Sequence, residues 1–102
     1  MAIDVVLITE EGENIELVFD PENALSYLTP DLEDESFHLL RFIDPYGDTI
    51  FNRLQMETFI KEWKRIGSMA ESEAEKALVK DVEQLAHRCL AEVHTYLKFI
   101  GD

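Results

Sequence analysis

The sequence predicts an α+β fold: a four-stranded antiparallel sheet made of two hairpins, with two C-terminal helices packed on one face. Three observations carry that expectation. Short β-branched or alternating runs, bounded by Gly, Pro and Asp, fill most of the first half of the chain. From Gln55 onward the apolar residues recur at helical spacing instead. A length of 102 residues, 46 % of them hydrophobic, suffices for one core and not two, so residues 1–102 form a single domain.

Ile3 to Thr9 is β-branched-rich and ends at Glu10-Glu11-Gly12-Glu13. Ile15 to Phe19 alternates with period two, so the two runs read as a hairpin around a Gly-containing loop. Asp20-Pro21 places a capping acid before Pro at a first helical position, which predicts a short helix over Pro21 to Leu28. Thr29-Pro30 ends it, and Asp31 to Glu35 is an acidic loop. Phe37 to Ile43 reads as a third strand with Phe37, Leu39 and Ile43 on one face. Asp44-Pro45-Tyr46-Gly47 is a turn in which Asp opens, Pro presets φ and Gly takes the left-handed position. Asp48 to Leu54 then reads as the fourth strand. With strands two and three adjacent, both hairpin turns lie at the same end of the sheet.

Met56, Phe59, Ile60, Trp63 and Ile66 recur at helical spacing, and Gly67 is a suitable stop. Ser72-Glu73-Ala74-Glu75 is a capping-box pattern. It predicts a second long helix from Ser72 to about Phe99, with Gly101 as terminator and Trp63 and Cys89 in the core. One stripe of that helix is Leu78, Val82, Leu85, Cys89, Tyr96 and Ile100; a second is Val79, Ala86, Leu90 and Leu97. About 28 residues span roughly 42 Å as a helix, against about 23 Å for a seven-residue strand. The helix is therefore expected to overhang its sheet and to offer a homodimer contact.

Charge is segregated along this chain. Residues 1–50 hold thirteen Asp/Glu against Arg41 alone, a balance of −12 within a total of −13. Such a field attracts a basic surface and repels nucleic acid. Normal apolar content separates the chain from acidic disordered sequences. One cysteine excludes an internal disulfide and fits a reducing compartment. The start, Met1-Ala2-Ile3-Asp4, has no basic region, and its apolar run stops at Ile8. It is too short for a secretory core or a membrane span, so a cytoplasmic location is expected.

Asp44 to Gln55 is the most distinctive stretch. Asp44-Pro45-Tyr46-Gly47-Asp48-Thr49-Ile50-Phe51-Asn52 resembles small bacterial proteins that carry an Asp-x-Tyr-Gly-Asp-Thr-x-Phe-Asn stretch. The resemblance covers about a tenth of the chain and implies no activity. Physically, Asp44 and Asp48 flank a turn that exposes Tyr46, and an exposed aromatic beside acids suits an interface hot spot.

Motifs that carry other chemistry are missing from the sequence. Asp31-Leu32-Glu33-Asp34-Glu35 has neither the Gly nor the spacing of a calcium loop. His87 and His94, on one expected helix, would stand about 10.5 Å apart along its axis, too far to share an ion. No Gly-rich phosphate loop and no Gly-x-Ser-x-Gly is found. His38 on a strand reads as a surface residue. Lys61, Lys64 and Arg65 read as a solvated helix face, because Glu57 and Lys61 pair at i,i+4. No catalytic residue, metal or cofactor is expected.

The expected function is that of an acidic, non-enzymatic binding protein that neutralises a basic partner such as a toxin or an enzyme with a cationic cleft. A bacterial immunity protein or antitoxin-like inhibitor fits that description. Partner-binding residues are expected at Asp31, Glu33, Asp34, Glu35, Asp44, Tyr46 and Asp48. Two other readings share parts of the pattern: a homodimeric interaction or scaffold subunit joined through the last helix, and a phage anti-defence inhibitor that mimics nucleic acid. Neither nucleic acid nor membrane is an expected partner.

Overall fold

Ile3–Thr9 (β1) and Asn14–Val18 (β2) form the expected first hairpin. Gly12 takes φ +87° in its loop, a conformation that glycine alone adopts without strain. The computed structural model describes residues 2–102; Met1 lies outside the described residues. A helical turn at Leu25–Leu28 (α1) leads by way of irregular chain to Asp48–Asn52 (β3). Helices Met56–Gly67 (α2) and Glu73–Ala91 (α3) follow, and Thr95–Gly101 (β4) closes the chain. The sheet is antiparallel throughout, in the order β2-β1-β4-β3.

The fold class is the expected one, a four-stranded antiparallel sheet with two helices toward the C-terminus. Its wiring differs in three places. Phe37–Ile43 is not a strand. It is irregular chain ending in a 3₁₀ turn at Leu40–Phe42, and it buries Phe37, Leu40 and Ile43 rather than Phe37, Leu39 and Ile43. The cause is Glu62, a buried α2 carboxylate only 5 % exposed. It accepts from the backbone N–H of His38 (2.8 Å), Leu39 (3.1 Å) and Leu40 (3.0 Å), which removes the donors a sheet ladder needs.

The last helix stops at Ala91 instead of running to Phe99. His94 takes φ +64°, and Thr95 Oγ1 donates to the Glu92 carbonyl at 2.8 Å, closing a turn. Thr95, Leu97 and Phe99 then alternate inward with period two. As strand, this segment fills the gap between β1 and β3, pairing Ile3–Thr9 on one side and Asp48–Asn52 on the other. Helical continuation would leave those ladders unmade. Gly101 therefore ends a strand, not a helix. A Cβ there would lie 2.4 Å from the Pro45 carbonyl oxygen, so only glycine lets the Asp44–Gly47 turn cross the end of β4.

There is consequently one hairpin, and β3 joins β4 by way of both helices. The turn after β1 and the turn before β3 lie at opposite ends of the sheet, not at the same end as expected. The overhang of the last helix disappears as well. Val79 and Ala86 are buried in the core, Leu90 packs against it and Leu97 belongs to β4, so that stripe offers no dimer contact.

Both helices begin where the sequence signals them. Asn52 and Gln55 exchange side-chain-to-backbone bonds at 3.2 and 2.8 Å before α2, and Ser72 and Glu75 do the same before α3. At α1 the buried carboxylate of Asp20 accepts from Ala24 and Leu25 N–H at 2.9 and 2.8 Å, so it caps a helix that starts later than its proline suggests. Tyr27 on α1 donates to Glu75 at 2.6 Å. That bond is the main cause pushing its phenol up to about 12, and it fastens α1 to the start of α3.

Phe51, Phe59, Trp63 and Phe99 fill the space between sheet and helices. Phe59 and Trp63 stack with centroids 5.6 Å apart, and Phe99 meets Phe51 edge-on at 5.9 Å. The Trp63 indole N–H donates to the Val79 carbonyl at 2.9 Å, so it costs no unpaired polar group. Cys89, also core, is pushed up in pKa chiefly by burial. Trp63→Ala is expected to destabilise the fold by about 3–5 kcal/mol in a denaturant titration. A loss under about 1 kcal/mol would mean that the cluster is not the centre of the core. Glu62→Ala should cost at least about 2 kcal/mol, because it strands buried amides. It should also accelerate hydrogen exchange at Leu39 and Leu40 ahead of the sheet.

Candidate interaction surface

The acidic loop begins where α1 ends. Thr29 Oγ1 donates to the Leu25 carbonyl at 2.7 Å, and Pro30 prevents further helix. Asp31, Leu32, Glu33, Asp34 and Glu35 are all exposed. Two turn bonds, Asp34 N–H to Asp31 O at 3.0 Å and Phe37 N–H to Asp34 O at 3.2 Å, give the loop a fixed course.

Arg65 and Glu62 of α2 pin this segment to the helix, and Arg41 ties the segment to itself. Arg41 Nε donates to the Leu32 carbonyl at 2.6 Å while its guanidinium lies 4.9 Å from the Phe42 ring centroid. Arg65 on α2 donates to Ser36 O at 2.9 Å and to Ser36 Oγ at 3.1 Å, and sits 3.9 Å over the Phe37 ring. Glu62 fixes the next three amides, as described above. The loop is thus anchored at Leu32, Ser36 and His38–Leu40.

Asp34 Oδ1 accepts from the Ser36 hydroxyl at 2.6 Å and from its N–H at 3.1 Å. These bonds hold the Asp34 carboxyl below the usual aspartate range, with Arg65 and Arg41 adding smaller attractions. Tyr46 is 71 % exposed at the tip of the following turn. Asp44 Oδ1 accepts from Tyr46 N–H at 2.9 Å, and Asp44 N–H donates to Thr49 Oγ1 at 2.8 Å. Gly101 N–H donates to Gly47 O at 2.8 Å, which ties the turn to β4. Asp48 pairs with Lys98 across the β3–β4 ladder at 3.5 Å.

The six acids among the seven residues singled out in the sequence therefore fall into two groups, with Tyr46 exposed at the turn tip beside them. Asp31, Glu33 and Glu35 face solvent from the pinned loop, whereas Asp34, Asp44 and Asp48 each serve a local bond as well. Arg41 and Arg65 draw Asp31–Phe42 together, and the Asp44–Asp48 turn follows directly in the chain. Glu10, Glu11 and Glu13 lie at the other end of the sheet and are not part of this surface.

Sequence reading missed Leu32 and Phe42, which are exposed beside these acids, and both arginine pins. Arg41 carried a usable signal as the only basic residue among the first fifty. A groove of about 680 Å³ adjoins the loop, with Tyr27, Asp31, Asp34, Phe37, Arg65 and Met69 in its walls. Among the described residues no group of three or more His, Cys, Asp or Glu is placed to hold a metal ion, and no helix is long and apolar enough to cross a membrane. His94 belongs to the turn before β4 and contacts Glu10 at 3.0 Å, apart from His87, whose Nε2 lies 3.4 Å from Glu83. Comparison with family models, curated proteins and solved structures finds no match.

Ser36→Ala is expected to raise the Asp34 pKa toward its ordinary value, read by carboxyl NMR titration. The sign for stability follows from the depression. Asp34 stabilises the loop fully above the unfolded-state value of 3.8, and this is lost as pH falls through the lower folded value. An Asp34 titration unmoved by Ser36→Ala would show that the Ser36 bonds do not govern it.

Proposed function

We propose that this protein is a non-enzymatic binding protein that neutralises a basic partner, in the manner of a bacterial toxin immunity protein or antitoxin-like inhibitor acting in the cytoplasm. The observation that carries this reading is the coincidence of segregated charge with a pinned loop. Asp31, Glu33 and Glu35 project from a segment held by Arg41, Arg65 and Glu62, with Leu32, Phe42 and Tyr46 exposed in the same stretch. Acids around exposed aromatics match the division of labour at a protein interface. Charge accelerates encounter with a cationic cleft, and the aromatics slow departure. Because the loop is ordered in the free protein, less conformational entropy is lost on binding than a free loop would lose. A cleft that handles anionic substrates is the surface such a plug competes for.

The test is kinetic. Association with the partner should slow as salt rises. Changing Asp31, Glu33 and Glu35 together to Lys should slow association by at least tenfold, while Glu57, Glu71 and Asp81, equally exposed acids of the second half, should matter far less. Asp34 is left in place so that the loop keeps its Ser36 bonds. Tyr46→Ala should act on dissociation instead, by an amount equivalent to about 2 kcal/mol. Salt-independent association, with both charge-reversed sets behaving alike, would refute the acidic-loop reading.

A further inference from the structure

We propose that the uncovered face of the sheet is a contact between two copies of this chain, separate from the acidic loop. The helices cover one face only. Val5, Leu7, Val18, Phe51, Leu97 and Phe99 point into the core they share with α2 and α3. Register then fixes the opposite face. Leu17, Val6, Lys98 and Ile50 form one row across all four strands, with Ile8 and Tyr96 paired beside it. Val6 and Ile8 are buried without belonging to the core beneath the helices.

The orientation of β2 makes this face unusual. Its Glu16 turns toward the helix layer, where Arg88 of α3 meets it at 2.7 Å, and its Leu17 turns away. An antiparallel strand with one solvated face ordinarily does the reverse. Relief matches the chemistry: Leu17 (37 % exposed) and Ile50 (53 %) stand up at the two margins, with Val6 (0 %) sunk between them. Two such faces can interdigitate at the roughly 10 Å spacing of stacked sheets.

Charge identifies the occupant. A two-fold contact lays a patch on itself, so the patch must supply its own counter-charges. This one does, with Lys98 set among Asp4 and Asp48 and bonded to the latter. A basic partner is drawn to the loops instead, whereas a second copy brings the same net charge of −13, a repulsion that the apolar row and the Lys98–Asp contacts have to outweigh. Area sets the strength. Four strands are about 19 Å wide and five to seven residues about 17–24 Å long, so each copy contributes roughly 400 Å² in projection. With two copies that is roughly 800 Å² in total, below the area of a tight dimer, so a weak and transient association is expected.

Sedimentation equilibrium of the whole chain, from about 5 µM to 1 mM, tests this. The average mass should rise from 11.8 kDa toward twice that value. It should rise further at 0.5 M NaCl than at 0.05 M, because salt screens repulsion between like-charged copies; binding through the acidic loop has the opposite salt response. Ile50→Lys and Leu17→Lys, both at exposed positions, should weaken association at least tenfold while circular dichroism shows an unchanged melt. Phe42→Lys, on the acidic surface, should leave it unchanged. A monomer at 1 mM in both salts, or association that survives both face variants, or association lost with Phe42→Lys, would overturn the proposal.

Discussion

Everything in this fold depends on the last strand occupying the middle of the sheet. β4 makes seven register pairs with β1 and five with β3; without it the hairpin and β3 share no hydrogen bonds. Phe99, near the end of the chain, touches Phe51, Phe59 and Trp63, so the aromatic core is completed by the same segment that completes the ladder. Ile3 pairs with Gly101 across nearly the whole sequence. Contacts of that separation are paid for in loop-closure entropy before they stabilise anything, which places the molecule among slower-folding topologies. The two capped helices offer local structure that can form earlier and present Phe59 and Trp63 to the arriving strand.

What could be read from the sequence follows the range of the forces involved. Asn52/Gln55 and Ser72/Glu75 are local bonds, and both helix starts fall where those residues stand. The first hairpin is local too. Phe37–Ile43 was misread because its decisive partner, Glu62, lies more than twenty residues away and looks like any other polar position of an amphipathic helix. Thr95–Gly101 was misread because Leu97 continues the stripe of Leu90 at a seven-residue interval while also alternating as a strand. The choice between those periods was made by two waiting ladders, β1 and β3, that no window of sequence contains.

The interaction surface divides in the same way. Exposure of Asp31, Glu33 and Glu35 and of Tyr46 was legible, since turn residues and charge runs sit at the surface for local reasons. The fixing of the acidic loop by Arg41 and Arg65 was not, because Arg41 captures the Leu32 carbonyl only once the chain has turned back on itself, and Arg65 reaches Ser36 and Phe37 from α2. Asp48 illustrates the limit of composition: counted as a free acid, it answers Lys98 on the neighbouring strand. Segregated charge is therefore partly offset at β3 by Lys98, and near Asp34 by Arg65 and Arg41, while Asp31, Glu33 and Glu35 face solvent.

Glu62 also decides how the loop meets proteases. Cleavage needs an extended stretch of chain drawn away from the surface, and here the segment is held at Leu32, at Ser36 and at three consecutive amides by a carboxylate inside the core. The bonds at Leu32 and Ser36 are exposed and can open locally, whereas releasing His38–Leu40 means breaking three bonds to a buried carboxylate. Cutting within Asp31–Glu35 should therefore follow local opening, and cutting at His38–Leu40 the rarer loss of the Glu62 contact.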